Sequence, residues 1–121
     1  MPTAFHIDTS RSGDAAVLSL HGELDVATTA QLEEALAAAS VEPPRLLIVD
    51  LSDLEFMDST GLRAVLAANE NAREAEHELV LVQGPHQVQR LLELTRAVDH
   101  LRIVADLAEL LGDDGPAPPS S

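Results

Sequence analysis

A chain of 121 residues with twenty-one acids, seven arginines and no lysine carries a net charge of -14, so its surface repels nucleic acid and anionic lipid. That length suits one domain with a single core, burying about two-thirds of the surface that the unfolded chain exposes. The absence of cysteine excludes disulfides and thiolate metal sites, and no apolar run approaches the ~20 residues of a membrane span. The N-terminus, Met1 to His6, lacks the basic and then hydrophobic order of a secretion signal. Together these features predict a cytoplasmic protein with no direct nucleic-acid contact and no membrane insertion.

Ala4 to Asp8 alternates Phe5 and Ile7 against His6 and Asp8, as an edge strand does, and Arg11-Ser12-Gly13-Asp14 supplies a turn. Ala15 to Leu24 alternates again, with Leu18, Leu20 and Leu24 on one face and Ser19, His21 and Glu23 on the other. Gly22 marks a bulge or a close approach, and the two stretches together predict a hairpin. Thr28 to Ala39 switches to helical spacing through Leu32, Ala35, Leu36 and Ala39, with Thr28 and Gln31 in the positions of a capping box. That helix must end before Pro43-Pro44. Arg45 to Leu51 is almost continuously apolar, as expected of a central strand covered on both faces. Strand, helix and strand in that order predict a parallel pair joined by a right-handed crossover.

Beyond the junction Asp58-Ser59-Thr60-Gly61, Leu62, Val65, Leu66 and Ala72 predict a second helix that runs to the neighbourhood of Ala75. Glu78 to Gln83 reads as a short strand, and Pro85 suits the first position of a third helix whose inner face is Val88, Leu91, Leu92 and Thr95. His100 to Val104 reads as the last strand, and Asp106 caps a short helix through Leu107, Leu110 and Leu111 that stops at Gly112. The composition of the tail 113–121 predicts disorder. The fold class expected is a single α/β domain over residues 1–112, a mixed sheet of about five strands with about four helices packed mainly on one side.

Ser59 stands where a loop becomes a helix, and the first N–H groups of a helix point outward with partial positive charge. A catalytic serine would need a base to activate it, yet there is no G-x-S-x-G elbow, and His6, His21, His77, His86 and His100 are all distant in sequence. No two of these histidines have i,i+3 or i,i+4 spacing on a common helix, which argues against a metal site, and no glycine-rich phosphate loop is present. The chain is thus expected to be no enzyme and to carry no cofactor. The simplest role for Ser59 is helix N-cap. Asp58, Ser59 and Thr60 are, however, three cap-competent residues where one suffices, and the surplus points to a second role for the junction.

Phe56-Met57-Asp58-Ser59-Thr60-Gly61-Leu62, preceded by Val49-Asp50-Leu51-Ser52, resembles the signature of the STAS domain, in particular that of the bacterial anti-sigma factor antagonists. Gly22-Glu23-Leu24-Asp25, Leu79-Val80-Leu81-Val82 before Gly84-Pro85, and Leu91-Leu92-Glu93-Leu94-Thr95 extend the resemblance over most of the chain. Arg96 departs from it, because these antagonists commonly carry glycine after Leu-Thr, and this bears on the geometry of that helix end. The resemblance implies a partner switch. Ser59 would be phosphorylated by an anti-sigma factor that is itself an ATP-dependent serine kinase, and a PP2C-type phosphatase would remove the phosphate. Unmodified protein would bind the anti-sigma factor and release its sigma factor. Asp25, Asp58, Ser59, Thr60 and Gly61 match positions on the expected partner-binding face. An alternative within the same family is a stand-alone STAS subunit of a membrane transporter assembly.

A phosphate adds roughly 1.5 to 2 negative charges, and its field is screened over a Debye length of ~8 Å. Against -14 the global change is small, so the switch is expected to act locally, by bulk and by repulsion at the partner's face. A helix N-terminus should tolerate the anion, leaving the fold intact.

Overall fold

The computed structural model describes residues 4–111. Chain order is β1 (His6–Ser12), β2 (Ala15–Leu24), α1 (Thr29–Ala39), β3 (Leu46–Asp50), β4 (Leu54–Met57), α2 (Ser59–Glu74), β5 (Glu78–Val82), α3 (His86–Leu94), a 3-10 turn (Ala97–Asp99), β6 (Arg102–Val104) and α4 (Ala108–Leu111). The stop at Gly112 and the tail 113–121 expected from the sequence lie outside the described residues.

The strands form one mixed sheet in the order β1-β2-β3-β5-β6, with β4 paired to β2 off this path. β1 and β2 are antiparallel, and the pairs β2–β3, β3–β5, β5–β6 and β2–β4 are parallel, as crossover helices require. The sheet therefore has six strands, one more than expected. β4 escapes the alternation test because its pairing jumps from Gly22↔Leu54 to Glu23↔Phe56, which leaves Glu55 as an extra, bulged residue. Leu54 and Met57 are buried while Glu55 and Phe56 between them are exposed, an i,i+3 spacing that hides the strand's alternation.

Each apolar run finds the covering it calls for. Ile48 and Val49 of β3, and Val80 and Leu81 of β5, are at most 2% exposed, as residues of central strands buried on both faces. One face of the sheet meets α1, α2 and α3 through Leu32, Leu62, Val65, Val88 and Leu92. The opposite face carries a smaller cluster of Ala15, Val17, Ile48 and Val82, covered by Leu107, Leu110 and Leu111 at the C-terminal end. Three helices on one side and the short α4 on the other match the layering expected.

Several local expectations are corrected. β1 continues to Ser12, so the hairpin closes on Gly13 and Asp14 alone. Thr28 holds the cap position of α1 but forms no capping box, because its hydroxyl donates to the Glu23 carbonyl at 2.8 Å and accepts from the Asp25 N–H at 2.9 Å. Pro85 is the residue before α3 rather than its first. Asp106 does cap, accepting from the Glu109 N–H at 3.2 Å, and Glu109 reaches back to the Asp106 N–H at 3.2 Å, a reciprocal capping box. Arg96 after α3 lies at φ 65, in the left-handed region that favours glycine, so the resemblance's glycine at this position has a backbone reason. An arginine in that conformation costs about 1 kcal/mol, set partly against its exposed 3.0 Å ion pair with Asp99.

Candidate partner-binding site

The Asp58–Gly61 junction is fastened to the end of β2. Leu24 pairs with Met57, and the Leu24 carbonyl accepts from the Asp58 N–H at 3.1 Å. This holds Asp58 in an extended conformation, φ -104 and ψ -174, the geometry of an N-cap residue. Its Oδ1 accepts from the Gly61 N–H at 3.0 Å, and its carbonyl accepts from the Leu62 N–H at 2.9 Å. The cap of α2 is therefore Asp58, and Ser59 is the first residue inside the helix. The expectation that Ser59 itself caps is corrected by that backbone bond, which selects one of the three competent residues.

Relieved of capping, Ser59 is exposed at the end of α2 while Thr60 is half-buried. The N–H groups of Ser59 and Thr60 precede the first intrahelical acceptor, so they add partial positive charge beside the Ser59 hydroxyl. Gly61 is buried against β2, where a Cβ would stand 2.8 Å from both Cγ and the carbonyl oxygen of Leu24. Asp25 follows Leu24, so the Leu24–Asp58 bond brings Asp25 to the same end of the sheet. Its carboxylate accepts from the Ala27 N–H at 2.9 Å and so shapes the turn into α1. All five expected residues, Asp25, Asp58, Ser59, Thr60 and Gly61, thus gather around the end of β2.

Two residues join them that the sequence reading did not place at the site, Phe56 having entered it only as the first residue of the signature. Val26 is 75% exposed and Phe56 44% exposed, large apolar side chains beside Asp25 and on β4 next to the junction. For Val26 the signal available was a large apolar residue inside a turn-forming segment, which a core-seeking reading passes over; Phe56 instead lies on β4, where the bulge turns it outward. A cleft of about 290 Å³ between α1 and α2, lined by Leu36, Ala64, Ala68 and Ala72, lies away from this face, and no junction residue lines it.

Separate duties for Asp58 and Ser59 have a measurable consequence. Asp58→Ala removes the cap and is expected to lower stability by about 1 kcal/mol in urea unfolding, whereas Ser59→Ala stays within about 0.5 kcal/mol of the parent. Equal losses from the two substitutions would show that the serine contributes to capping.

A scaffold that ends one strand, one turn and one helix around an exposed hydroxyl, two acids and two exposed apolar side chains is a protein-binding module. The chain belongs to the STAS domain family, among the anti-sigma factor antagonists, with residues 6–110 matching the STAS domain. It is 34% identical over 83 residues to the anti-sigma-F factor antagonist RsfB of Mycobacterium tuberculosis, covering 69% of this chain and 68% of that protein. It is 32% identical over 104 residues to the anti-sigma-B factor antagonist of Listeria monocytogenes, covering 86% of this chain and 91% of that protein. The crystal structure of an anti-sigma factor antagonist from Mycobacterium paratuberculosis matches with a TM-score of 0.82 at 27% identity, over 89% of this chain and 92% of that one. Membership in this family makes the chain a regulatory binding protein and not an enzyme. No helix among the described residues is long and apolar enough to cross a membrane.

Proposed function

We propose that this protein is the antagonist in a cytoplasmic partner switch. Its Ser59 face binds an anti-sigma factor and releases a sigma factor, and phosphorylation of Ser59 by that partner's serine kinase activity abolishes binding until a PP2C-type phosphatase restores it. The observation that carries this reading is the division of labour at the junction: Asp58 caps α2, which leaves the Ser59 hydroxyl exposed at the first helical position. Asp25, Asp58, Thr60 and Gly61 frame the contact, and the exposed Val26 and Phe56 supply apolar area that a partner would cover. The relatives' names favour an anti-sigma partner over a transporter assembly.

The reading is tested by incubating the protein with ATP and each serine kinase encoded beside it, followed by intact mass and peptide mapping. One phosphate on Ser59 is the expected result. No gain with any of them, or a gain confined to the half-buried Thr60, would overturn it.

A further inference from the structure

We propose a second site on the hairpin, where His6, Asp8 and His21 bind a divalent transition metal ion of the zinc type. His6 and His21 are directly paired across β1 and β2, and their rings stack in parallel, with centroids 4.3 Å apart and planes 2° apart. Asp8 Oδ2 lies 3.1 Å from His21 Nε2 and 3.9 Å from His6 Nε2. The three ligand atoms all lie within 4.8 Å of one another. Ligands around a tetrahedral zinc ion stand ~3.4 Å apart, so a tilt of the half-exposed His6 ring and a rotation of Asp8 bring the three into place and leave the fourth position to a water molecule.

Which nitrogens are available matters more than the spacing. His6 Nδ1 lies 3.4 Å from the Ala4 carbonyl, and His21 Nδ1 lies 3.9 Å from the Asp53 carboxylate, which a small rotation of that exposed side chain closes to a hydrogen bond. With Nδ1–H directed at those acceptors, both Nε2 atoms keep a free lone pair on the side of Asp8, and because the rings are parallel the His6 ring must turn for the two to meet on one ion. His21 Nε2 is buried and, although Asp8 Oδ2 stands 3.1 Å away, makes no well-aligned hydrogen bond among the described residues, so two ring nitrogens and a carboxylate oxygen lie together on one side of the hairpin. A cation satisfies all three, and imidazole ligands select zinc, nickel or copper over magnesium or calcium. Asp53, 3.9 Å from His21 Nδ1, would serve as a positioning residue in the metal-bound form by rotating to accept the Nδ1–H, as carboxylates behind metal-bound histidines do. Helical spacing rules could not disclose the site, because its ligands are brought together by strand pairing.

The test uses tag-free, full-length protein titrated with Zn2+ alone, followed by calorimetry and by long-range 15N–1H imidazole spectra. One equivalent is expected to bind with micromolar affinity, shift the Nε2 resonances of His6 and His21, and raise Tm. His6→Ala, on the exposed edge strand, should abolish binding, and Asp53→Asn should weaken it by at least about tenfold. His77→Ala should leave it unchanged, and Mg2+ should not compete. Unchanged affinity in His6→Ala, shifts confined to His77, His86 or His100, or no saturation below millimolar Zn2+ would each overturn the assignment.

Discussion

A phosphate on Ser59 is expected to lower affinity for the cognate anti-sigma factor by at least about 100-fold, Ser59→Asp to lower it in the same direction, and Ser59→Ala to bind like the parent. A hundredfold loss corresponds to about 2.7 kcal/mol. Global charge cannot supply it, because the molecule already carries -14. Local desolvation can. If the partner that covers Val26 and Phe56 extends over Ser59, as the proposed binding face requires, burying an uncompensated anion beside the Asp25 and Asp58 carboxylates costs several kcal/mol. The domain itself is less affected. Repulsion between a dianion and a carboxylate ~6 Å away in water is about 1.4 kcal/mol. The helix dipole and the Ser59 and Thr60 N–H groups offset about 0.3 to 1 kcal/mol of that. This balance sharpens the expectation that a helix N-terminus simply tolerates phosphate, since the Asp58 cap opposes what the dipole favours. Chemical-shift changes should therefore be confined to the segments around Asp25 and Asp58–Leu62. Broad shifts in β2, β3 and β5 would place the effect in the core, and equal binding of Ser59→Ala and Ser59→Asp would refute the charge argument.

How much of this was legible in the sequence depended on whether local pattern or tertiary pairing decided the outcome. β3, β5 and the inner faces of α1, α2 and α3 follow from apolar runs and periods that burial enforces. The junction was legible as a site because three cap-competent residues stand in succession. Which one caps was not, since the choice rests on the bond from the Asp58 N–H to Leu24, thirty-four residues earlier in the chain. The same is true of Thr28, whose hydroxyl was taken by the turn before it. β4 was hidden by a bulge. The histidine pair was hidden by register: a turn on Arg11–Asp14 would pair Ser10 with Ala15 and set His6 opposite Ser19. The observed two-residue turn slides the hairpin so that His6 meets His21.

Gly61→Ala is expected to destabilise the protein by about 2 kcal/mol, although helix propensity alone predicts the opposite sign by about 1 kcal/mol. The position lies in the first turn of α2, where alanine is intrinsically better than glycine. Against that, the new Cβ would stand 2.8 Å from the Leu24 carbonyl oxygen and 2.8 Å from Leu24 Cγ, closer than packed carbon atoms come. Leu24 has no room to yield, being fully buried, and its carbonyl is the acceptor that fixes Asp58. Any retreat of α2 stretches that bond and the Gly61 N–H bond to Asp58 together, so tether and cap weaken at once, each worth about 1 kcal/mol. Out of a total stability of about 5 to 15 kcal/mol, the loss is visible as a lower urea midpoint with an unchanged slope. Partner affinity should fall with it, because Ser59 rides on the displaced turn. A rise in stability would show that propensity outweighs the contact and that the glycine is not there for close packing. Trimming the neighbour separates the two clashing atoms: Leu24→Ala combined with Gly61→Ala removes the side-chain clash but keeps the carbonyl. The double variant should therefore remain less stable than Leu24→Ala alone.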